Sequence, residues 1–172
     1  MNHKKISVRP AAEADLKEIS AIYDGARAFM RSYGNVDQWP TAAYPSLDSA
    51  KADLEDGILY VAEGENGIVG TFVMVPGPDP TYGYIENGSW RVDSPYLAIH
   101  RVASRGGGVL RAALEYACPC YDHIRMDTHA DNAPMRHLLE KLGFSYRGTI
   151  YVEDGTPRMA FDLLEGDYGK NQ

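Results

Sequence analysis

The amino-acid sequence predicts a mixed α/β domain in which a mostly antiparallel sheet carries helices on both faces. Strand-like segments alternate with segments of helical periodicity, and hairpins are predicted towards both ends of the chain. Between them, residues 96–114 combine an apolar run, a glycine turn and a helical pattern. With 172 residues, 44% of them hydrophobic and 24% charged, the chain has the composition of one globular domain. We expect a single domain over 1–172, with its core at 6–164 and a frayed tail at 165–172.

The first part of the chain predicts a strand and a long helix. Residues 6–9 alternate apolar and polar side chains, and Pro10 ends that strand. A helix with one apolar face follows and ends at Gly34. That face comprises Leu16, Ile19, Tyr23, Ala26 and Met30. The next loop is broken by prolines and carries Trp39 and Tyr44, and exposed aromatic side chains on a loop suggest a contact surface.

A short helix and a hairpin come next. Ser46 is the predicted N-cap of a helix that extends to Leu54. Residues 58–63 and 68–75 are predicted strands, and the Asn-Gly step at 66–67 favours a tight turn between them. The two strands are therefore expected to be antiparallel neighbours.

The segment Thr81–Ser94 is harder to assign from its pattern. It is polar and aromatic, and Glu86 and Trp90 lie at helical spacing. We expect a short helix or a lid that crosses the sheet before the central strand begins.

The centre of the chain predicts an anion-binding turn. An apolar strand, Tyr96–Ala103, leads through Gly106, Gly107 and Gly108 into a helical pattern. Glycines let the backbone approach a ligand, and the first turn of a helix offers unpaired N–H groups and the positive end of its dipole. A sharp turn whose glycines only relieve crowding is the alternative. Val109-Leu110-Arg111 exclude a P-loop, which needs Lys and Ser or Thr there, and a dinucleotide-binding G-x-G-x-x-G is also absent.

The last part of the chain predicts a strand, a helix and a hairpin. Asp122–Thr128 is strand-like, and Asn132 is a plausible N-cap for a helix that ends at Gly143. Residues 144–152 and 157–164 then form the final hairpin.

Charge and cysteine content narrow the class of partner. A net charge of -7 and a pI near 5.2 oppose binding to nucleic acid or to an anionic membrane, so the expected partner is a small molecule. No apolar stretch is long enough to span a bilayer, and we expect a cytoplasmic protein. Cys118 and Cys120 are too close for an ordinary disulfide. The acidic and histidine side chains of 122–131 could converge on a metal only if the strand continued to Asp131. A turn is expected before Asn132, so no metal is predicted.

Two motifs in this order resemble the GCN5-related N-acetyltransferase (GNAT) family. The strand, the Arg105-Gly106-Gly107-Gly108 turn and the helix are followed by the run from Asp131 to Phe144, which ends in Glu-Lys-Leu-Gly-Phe. The opening residues 6–11 are also similar to the start of that fold, so the resemblance covers nearly the whole chain. It implies a sheet whose two central parallel strands, 96–103 and 122–128, splay apart in a V. It also implies that acetyl-CoA, as co-substrate, lies in that gap.

The resemblance implies a set of cofactor-binding residues. The backbone near Val102 and Ala103 would polarise the thioester, the glycine turn would hold the pyrophosphate, and Asn132 would bond the cofactor arm. The full set is Val102, Ala103, Arg105, Gly106, Gly107, Gly108, Val109, Leu110 and Asn132. Leu110 replaces the small residue of the family pattern, which predicts a tighter or distorted turn.

The proton-transfer groups usual in that family are replaced in this chain. Ala98 stands where some members have a glutamate base, and Leu139 stands where many have a tyrosine acid. His100 shares the strand face of Ala98 by period two and titrates near neutral pH, so it is the first candidate base. Glu86 is the second candidate catalytic residue. The alternatives are a structural histidine and a surface carboxylate.

Three aromatic side chains are candidates for the acceptor site. Trp39, Tyr44 and Trp90 could form a pocket over the thioester, although loop aromatics that plug the core are equally expected. The predicted function is acetyl-CoA-dependent N-acyl transfer to a primary amine of a small molecule or peptide. The alternatives are a non-catalytic acyl-CoA-binding domain of the same fold and a protein-interaction module. A homodimer is the oligomeric state that the sequence leaves open.

Overall fold

The computed structural model describes residues 5–171, which form four α-helices and seven β-strands. The helices are α1 (Leu16–Ser32), α2 (Leu47–Glu55), α3 (Val109–Ala117) and α4 (Ala133–Leu142). The strands are β1 (Ser7–Pro10), β2 (Leu59–Gly64), β3 (Gly67–Pro76), β4 (Leu97–Ser104), β5 (His123–Thr128), β6 (Ser145–Tyr151) and β7 (Pro157–Leu164). They form one sheet in the order β1-β2-β3-β4-β5-β7-β6, in which β4 and β5 are parallel. The predicted mixed, mostly antiparallel fold is confirmed.

The chain divides into two compact units. The first unit comprises the described residues up to Met74 together with His100–Ala117. The second unit comprises Val75–Ile99 and the described residues from Cys118 onwards. That the whole chain is a single domain stays a prediction.

The first unit contains β1, β2, most of β3, the end of β4, and helices α1 to α3. Arg9 of β1 pairs with Val61 of β2, and Val61 pairs with Thr71 of β3, antiparallel in both cases. Gly64 pairs with Gly67 across a two-residue turn, as the predicted hairpin requires. The predicted apolar face of α1 is buried in this unit. Its core includes Leu16, Ile19, Ile22, Tyr23, Leu59, Phe72, Leu110 and Leu114.

The second unit contains the beginning of β4, β5, α4 and the last hairpin. β7 lies between β5 and β6, since Phe161 pairs with Met126 on one side and with Tyr146 on the other. Along the described residues, β4 and β5 pair at Leu97 with Ile124 and at Ala98 with Arg125, and their pairing extends no further. The two central strands therefore separate after Ala98, as the predicted V requires.

The prediction of a helix in 81–94 is wrong. Within this segment the structure has the end of a 3₁₀ turn, Pro80–Tyr82, and an isolated β-bridge between Glu86 and Thr149. Trp90 lies half-buried and its indole N–H donates to Tyr82 O at 2.9 Å. Trp90 and Glu86 are thus held by separate contacts. Their helical spacing in the sequence does not reflect a helix.

The predicted frayed tail is also wrong for the residues that the structure describes. Glu165 N donates to Asp122 O at 2.8 Å, and the carboxylate of Asp167 pairs with Arg91 at 2.8 Å. Asn171 Nδ2 donates to Glu140 O at 3.0 Å. These contacts fix residues 165–171 to other parts of the second unit.

Two further predictions concern the cysteines and the membrane. Cys118 and Cys120 are free thiols just beyond α3. Across residues 5–171, every helix is too short or too polar to cross a bilayer.

Candidate active site

The glycine turn between β4 and α3 is open on its outer side. A Cβ added at Gly106 or Gly107 would meet no atom within 4 Å. Gly108 has φ +95°, a conformation that side chains rarely adopt, and its added Cβ would lie 2.9 Å from Ile6 Cδ1. The turn is anchored at its start, where Arg105 N donates to Val69 O at 2.8 Å. The turn is therefore fixed in place, and its exposed glycines have room for a ligand beside the backbone.

The beginning of α3 offers N–H donors to that space. The first α-helical bond of α3 runs from Ala112 N to Gly108 O at 2.9 Å. The N–H groups of Val109 and Leu110 precede it and, by the geometry of the helix, have no acceptor within it. Gly108 occupies the N-cap position and has no side chain with which to cap them. The arrangement suits an anionic ligand, which backbone donors and the helix dipole would both stabilise.

Side chains contribute little to this anion site. Val109 and Leu110 are buried, so only their backbone can face a ligand. Leu110 packs in the core, and that its presence tightens or distorts the turn stays a prediction. The Arg105 guanidinium pairs with Glu18 Oε1 at 2.8 Å, with both side chains about half exposed. Binding here would depend mainly on the backbone.

Gly70 of β3 packs closely against both ends of the same turn, a contact that the sequence alone does not reveal. A Cβ at Gly70 of β3 would overlap the side chain of Val109 and would lie 2.8 Å from Ala103 O. Glycine at position 70 therefore lets the beginning of α3 and the end of β4 pack directly against β3.

The strand β4 is bent at Arg101, next to the predicted thioester-binding residues. Arg101 has φ +51°, which is uncommon for a residue other than glycine. His100 and Val102 on either side are half-buried. The period-two argument therefore does not extend from His100 to Val102, whereas Ala98 and His100 both precede the bend. Irregular backbone of this kind is frequent at functional sites.

Arg101 lies at the centre of a polar cluster in the first unit. Its guanidinium donates to Asp53 Oδ1 at 2.6 Å and to the Tyr44 hydroxyl at 2.5 Å, and it lies 5.5 Å from the centre of the Tyr44 ring. Burial alone would lower the pKa of Arg101, but Tyr44 and Asp53 outweigh that effect and raise it. Tyr23 is fully buried, and burial raises its pKa to about 12. Sequence reasoning named only Tyr44 of this cluster as a site residue and placed Tyr23 on the apolar face of α1, because no local pattern relates the members of the cluster.

The predicted acceptor aromatics have different environments. Trp39 is buried and packs edge-on against Tyr23, with ring centroids 5.9 Å apart. Of the two alternatives given for Trp39, the loop aromatic that plugs the core is therefore confirmed, and the exposed one is wrong. Tyr44 is 51% exposed and contacts Arg101. In the second unit, the Trp90 ring covers the guanidinium of Arg125 at 4.2 Å.

Glu86 is a poor candidate for a base. Its carboxylate accepts hydrogen bonds from the hydroxyls of Tyr151 at 2.6 Å and Tyr84 at 2.7 Å. These bonds, that of Tyr151 first, lower the pKa of Glu86 from its usual value. A carboxylate with a lowered pKa takes up protons less readily near neutral pH.

Asn132 and Leu139 behave as structural residues of α4. Asn132 Oδ1 accepts from Met135 N at 3.2 Å, which confirms the predicted N-cap. Leu139 is 0% exposed, so this position of α4 is filled by core packing. The predicted contact of Asn132 with the cofactor stays a prediction.

Two of the acidic and histidine side chains of 122–131 have separate partners in the second unit, whereas His129 Nδ1 lies 3.6 Å from Asp131 Oδ2. β5 ends at Thr128, as the expected turn requires. Asp127 Oδ1 accepts from the Tyr82 hydroxyl at 2.7 Å, and His123 Nδ1 lies 3.1 Å from Ser94 Oγ. These contacts give both side chains a structural role.

Comparison with known proteins identifies the family. A model of the "Acetyltransferase (GNAT) family" matches residues 19–144. This chain belongs to the GNAT acetyltransferase family. Among curated proteins, a search found no significant match.

Solved structures of GNAT proteins are similar to this chain over nearly its full length. A GNAT acetyltransferase from Streptococcus agalactiae 2603 is 27% identical with a TM-score of 0.85, and the match covers 95% of this chain and 98% of that one. One from Listeria monocytogenes 4b F2365 is 17% identical with a TM-score of 0.66, covering 92% and 94%. The aminoglycoside acetyltransferase AAC(6')-Ib, solved with coenzyme A and kanamycin, is 18% identical with a TM-score of 0.62, covering 93% and 95%. The last two support the GNAT fold alone.

Proposed function

We propose that this protein is an acetyl-CoA-dependent N-acyltransferase that acetylates a primary amine of a small molecule or peptide. The observation that carries the proposal is the beginning of α3, where the N–H groups of Val109 and Leu110, which have no acceptor within the helix, follow an open glycine turn. A pyrophosphate is the type of anion that such a helix start binds. Membership of the GNAT family supports the assignment of that anion to coenzyme A.

The residues present fit the pyrophosphate of coenzyme A. The exposed faces of Gly106 and Gly107 leave room beside the backbone, and Gly108 gives the chain the positive φ that leads into α3. The backbone of Gly106–Leu110 would hold the pyrophosphate. Arg105 would add its charge only by leaving Glu18.

The end of β4 would carry the chemistry. When bound, acetyl-CoA would supply an acetyl thioester, whose acetyl group passes to the amine while the coenzyme A thiol is released. Backbone N–H groups near Val102 and Ala103 would donate to the thioester oxygen. His100 would take the proton that the amine loses, directly or through water. Orientation of the two reactants would supply much of the remaining rate enhancement.

A non-catalytic acyl-CoA-binding domain is the second candidate. The observation that favours it is that Ala98 and Leu139, at the positions of the usual base and acid, are both 0% exposed and apolar. Neither can move a proton. This candidate retains the anion site and predicts binding without turnover.

Titration calorimetry and a thiol-release assay distinguish the two. We expect the protein to bind coenzyme A and to release thiol from acetyl-CoA in the presence of an amine. Binding without amine-dependent thiol release would establish the second candidate, and no binding at all would contradict both. A panel of amines, amino acids and amino sugars is the appropriate screen, since one structural neighbour was solved with kanamycin.

Several predictions stay open beside this proposal. The protein is predicted to be cytoplasmic, and a homodimer is possible in the sense that the sequence leaves it open. Neither a metal nor a nucleic-acid or membrane partner is predicted. The proposed acceptor is a small molecule or peptide, which the net charge of -7 would also favour over nucleic acid.

A further inference from the structure

The polar cluster around Arg101 contains buried atoms that lack hydrogen-bond partners. Among the described residues, the Tyr23 hydroxyl, Asp53 Oδ2 and Arg101 Nε are all buried without a partner. Tyr23 is 0% exposed and Asp53 is 7% exposed. Buried polar atoms are normally paired, because leaving them unpaired costs their full desolvation. Three of them on side chains that interact with one another point to a polar group that is bound there.

The three side chains form one connected group. Arg101 is bonded to Asp53 Oδ1 at 2.6 Å, which leaves Oδ2 as the acceptor without a partner. The Tyr23 hydroxyl is coupled electrostatically to both Arg101 and Asp53. Because burial raises the pKa of Tyr23 to about 12, its hydroxyl keeps its proton near neutral pH and can donate.

The unpaired atoms define the chemistry of the missing group. Tyr23 O–H and Arg101 Nε–H are donors, whereas Asp53 Oδ2 is an acceptor. Asp53 and Arg101 already form a salt bridge at 2.6 Å, so their opposite charges balance each other. A carboxylate on the ligand would be repelled by Asp53, and an ammonium would be repelled by Arg101. A hydroxyl donates one hydrogen bond and accepts others, so it can satisfy all three atoms without adding a charge.

The cluster is adjacent to the predicted site of acetyl transfer. Arg101 lies between His100 and Val102 in β4, and its φ of +51° marks the bend of that strand. We propose that Tyr23, Asp53 and Arg101 bind a hydroxyl group of the acceptor, so that the acceptor is a hydroxylated primary amine. This inference rests on the proposed function and names the substrate class of the same site.

A matched series of amines tests the class of acceptor. Thiol release from acetyl-CoA is measured with linear amino alcohols of increasing chain length, and with alkylamines, diamines and ω-amino acids of the same lengths. We expect kcat/KM for the best amino alcohol to exceed that of its matched amines by at least about tenfold, since a site that bonds a hydroxyl discriminates strongly against analogues that lack it. Equal use of the four classes, or preference for a charged class, would overturn the inference but leave the proposed function intact. Thiol release with none of them, nor with the amino acids, amino sugars and peptides of a wider panel, would contradict the proposed function.

Tyr23→Phe tests the cluster itself. The substitution removes a hydroxyl that has no partner, so the melting temperature should not fall. We expect the ratio of kcat/KM for the amino alcohol to kcat/KM for the alkylamine to fall at least about tenfold, while the affinity for coenzyme A stays unchanged. Retention of the full hydroxyl preference in this variant would overturn the proposal and would identify the cluster as structural.

Tyr82→Phe is the matched control. Tyr82 is equally buried, but its hydroxyl donates to Asp127 Oδ1 at 2.7 Å. Its removal should lower the melting temperature and leave the hydroxyl preference intact. A loss of the preference in both variants would mean that instability is the cause, and would overturn the assignment to Tyr23.

A further readout needs no variant. The best amino alcohol should raise the melting temperature of the parent protein more than its matched alkylamine does, and an equal effect would contradict the proposal.

Discussion

The beginnings of α3 and α4 are built in opposite ways. α4 is capped by Asn132, whose Oδ1 accepts from Met135 N at 3.2 Å, and it has Pro134 in its first turn, where no N–H needs a partner. α3 begins after Gly108, which has no side chain, and the N–H groups of Val109 and Leu110 have no acceptor within the helix. The family pattern assigned both helix starts to the cofactor. In the structure α4 has a side-chain cap, whereas Gly108 provides none for α3. The cofactor contacts of both helix starts stay predictions.

The largest expected effect concerns the α3 side of this comparison. Gly107→Asp places a carboxylate at an exposed position whose added Cβ meets no atom and whose backbone is not in the left-handed region. Two like charges about 4 Å apart repel by about 1 kcal/mol in water and by about 4 kcal/mol near a protein surface. We therefore expect coenzyme A to bind about 100-fold more weakly. Titration calorimetry measures the affinity.

Gly25→Asp is the control for that change in charge. Gly25 lies on the exposed face of α1, and a Cβ there also meets no atom within 4 Å. This variant should bind coenzyme A like the parent. An unchanged affinity in a folded Gly107→Asp variant would show that the glycine turn is not the anion site.

His100→Gln tests whether the same region also transfers the proton. If His100 takes the amine proton, turnover should fall by about 10²-fold, the usual scale of general base catalysis, with coenzyme A binding unchanged. Raising the pH should restore part of the rate, because more of the acceptor is then already neutral. A pH–rate profile that superimposes on that of the parent, apart from lower stability, would assign His100 a structural role.

The difference between the two helix starts was only partly predictable from sequence. Glycines, caps and helical periodicity are local signals, so the turn at 106–108, the cap at Asn132 and the elements around them were predicted correctly. The bend at Arg101 was not, because its partners Asp53 and Tyr44 lie 48 and 57 positions away in sequence. Nothing near Arg101 in the sequence specifies a positive φ.

The aromatic side chains illustrate the same limit. The loop of Trp39 was recognised from its prolines, but its sequence left an exposed and a core-plugging Trp39 equally expected, and the contact with Tyr23 of α1 decides for burial. Glu86 and Trp90 have helical spacing, yet a bridge to Thr149 and a bond to Tyr82 fix them individually. In each case a contact between distant elements overrides the local pattern.

Asn132→Ala sharpens the comparison from the α4 side. Loss of an N-cap costs about 1 kcal/mol, so the free energy of unfolding should fall by roughly that amount in a urea titration. The affinity for coenzyme A should stay within about twofold of that of the parent, since the side chain serves the helix. A large loss of affinity in the folded variant would instead restore the role in cofactor binding that the family pattern implies.

The smallest expected effect is that of Glu86→Gln in the second unit. The hydroxyls of Tyr151 and Tyr84 lower the pKa of Glu86, so its carboxylate is ionised throughout the neutral range and has little tendency to accept a proton. Because the folded-state pKa lies below the unfolded value, any linked stability is present above the unfolded pKa and is lost only as the pH falls through the folded pKa, in the acid range. Turnover between neutral and mildly alkaline pH should therefore remain within about twofold of the parent, against the roughly 10²-fold loss expected for a general base. A loss of that larger size, with a pH–rate profile from which one acidic limb has disappeared, would make Glu86 the base and would move proton transfer away from His100.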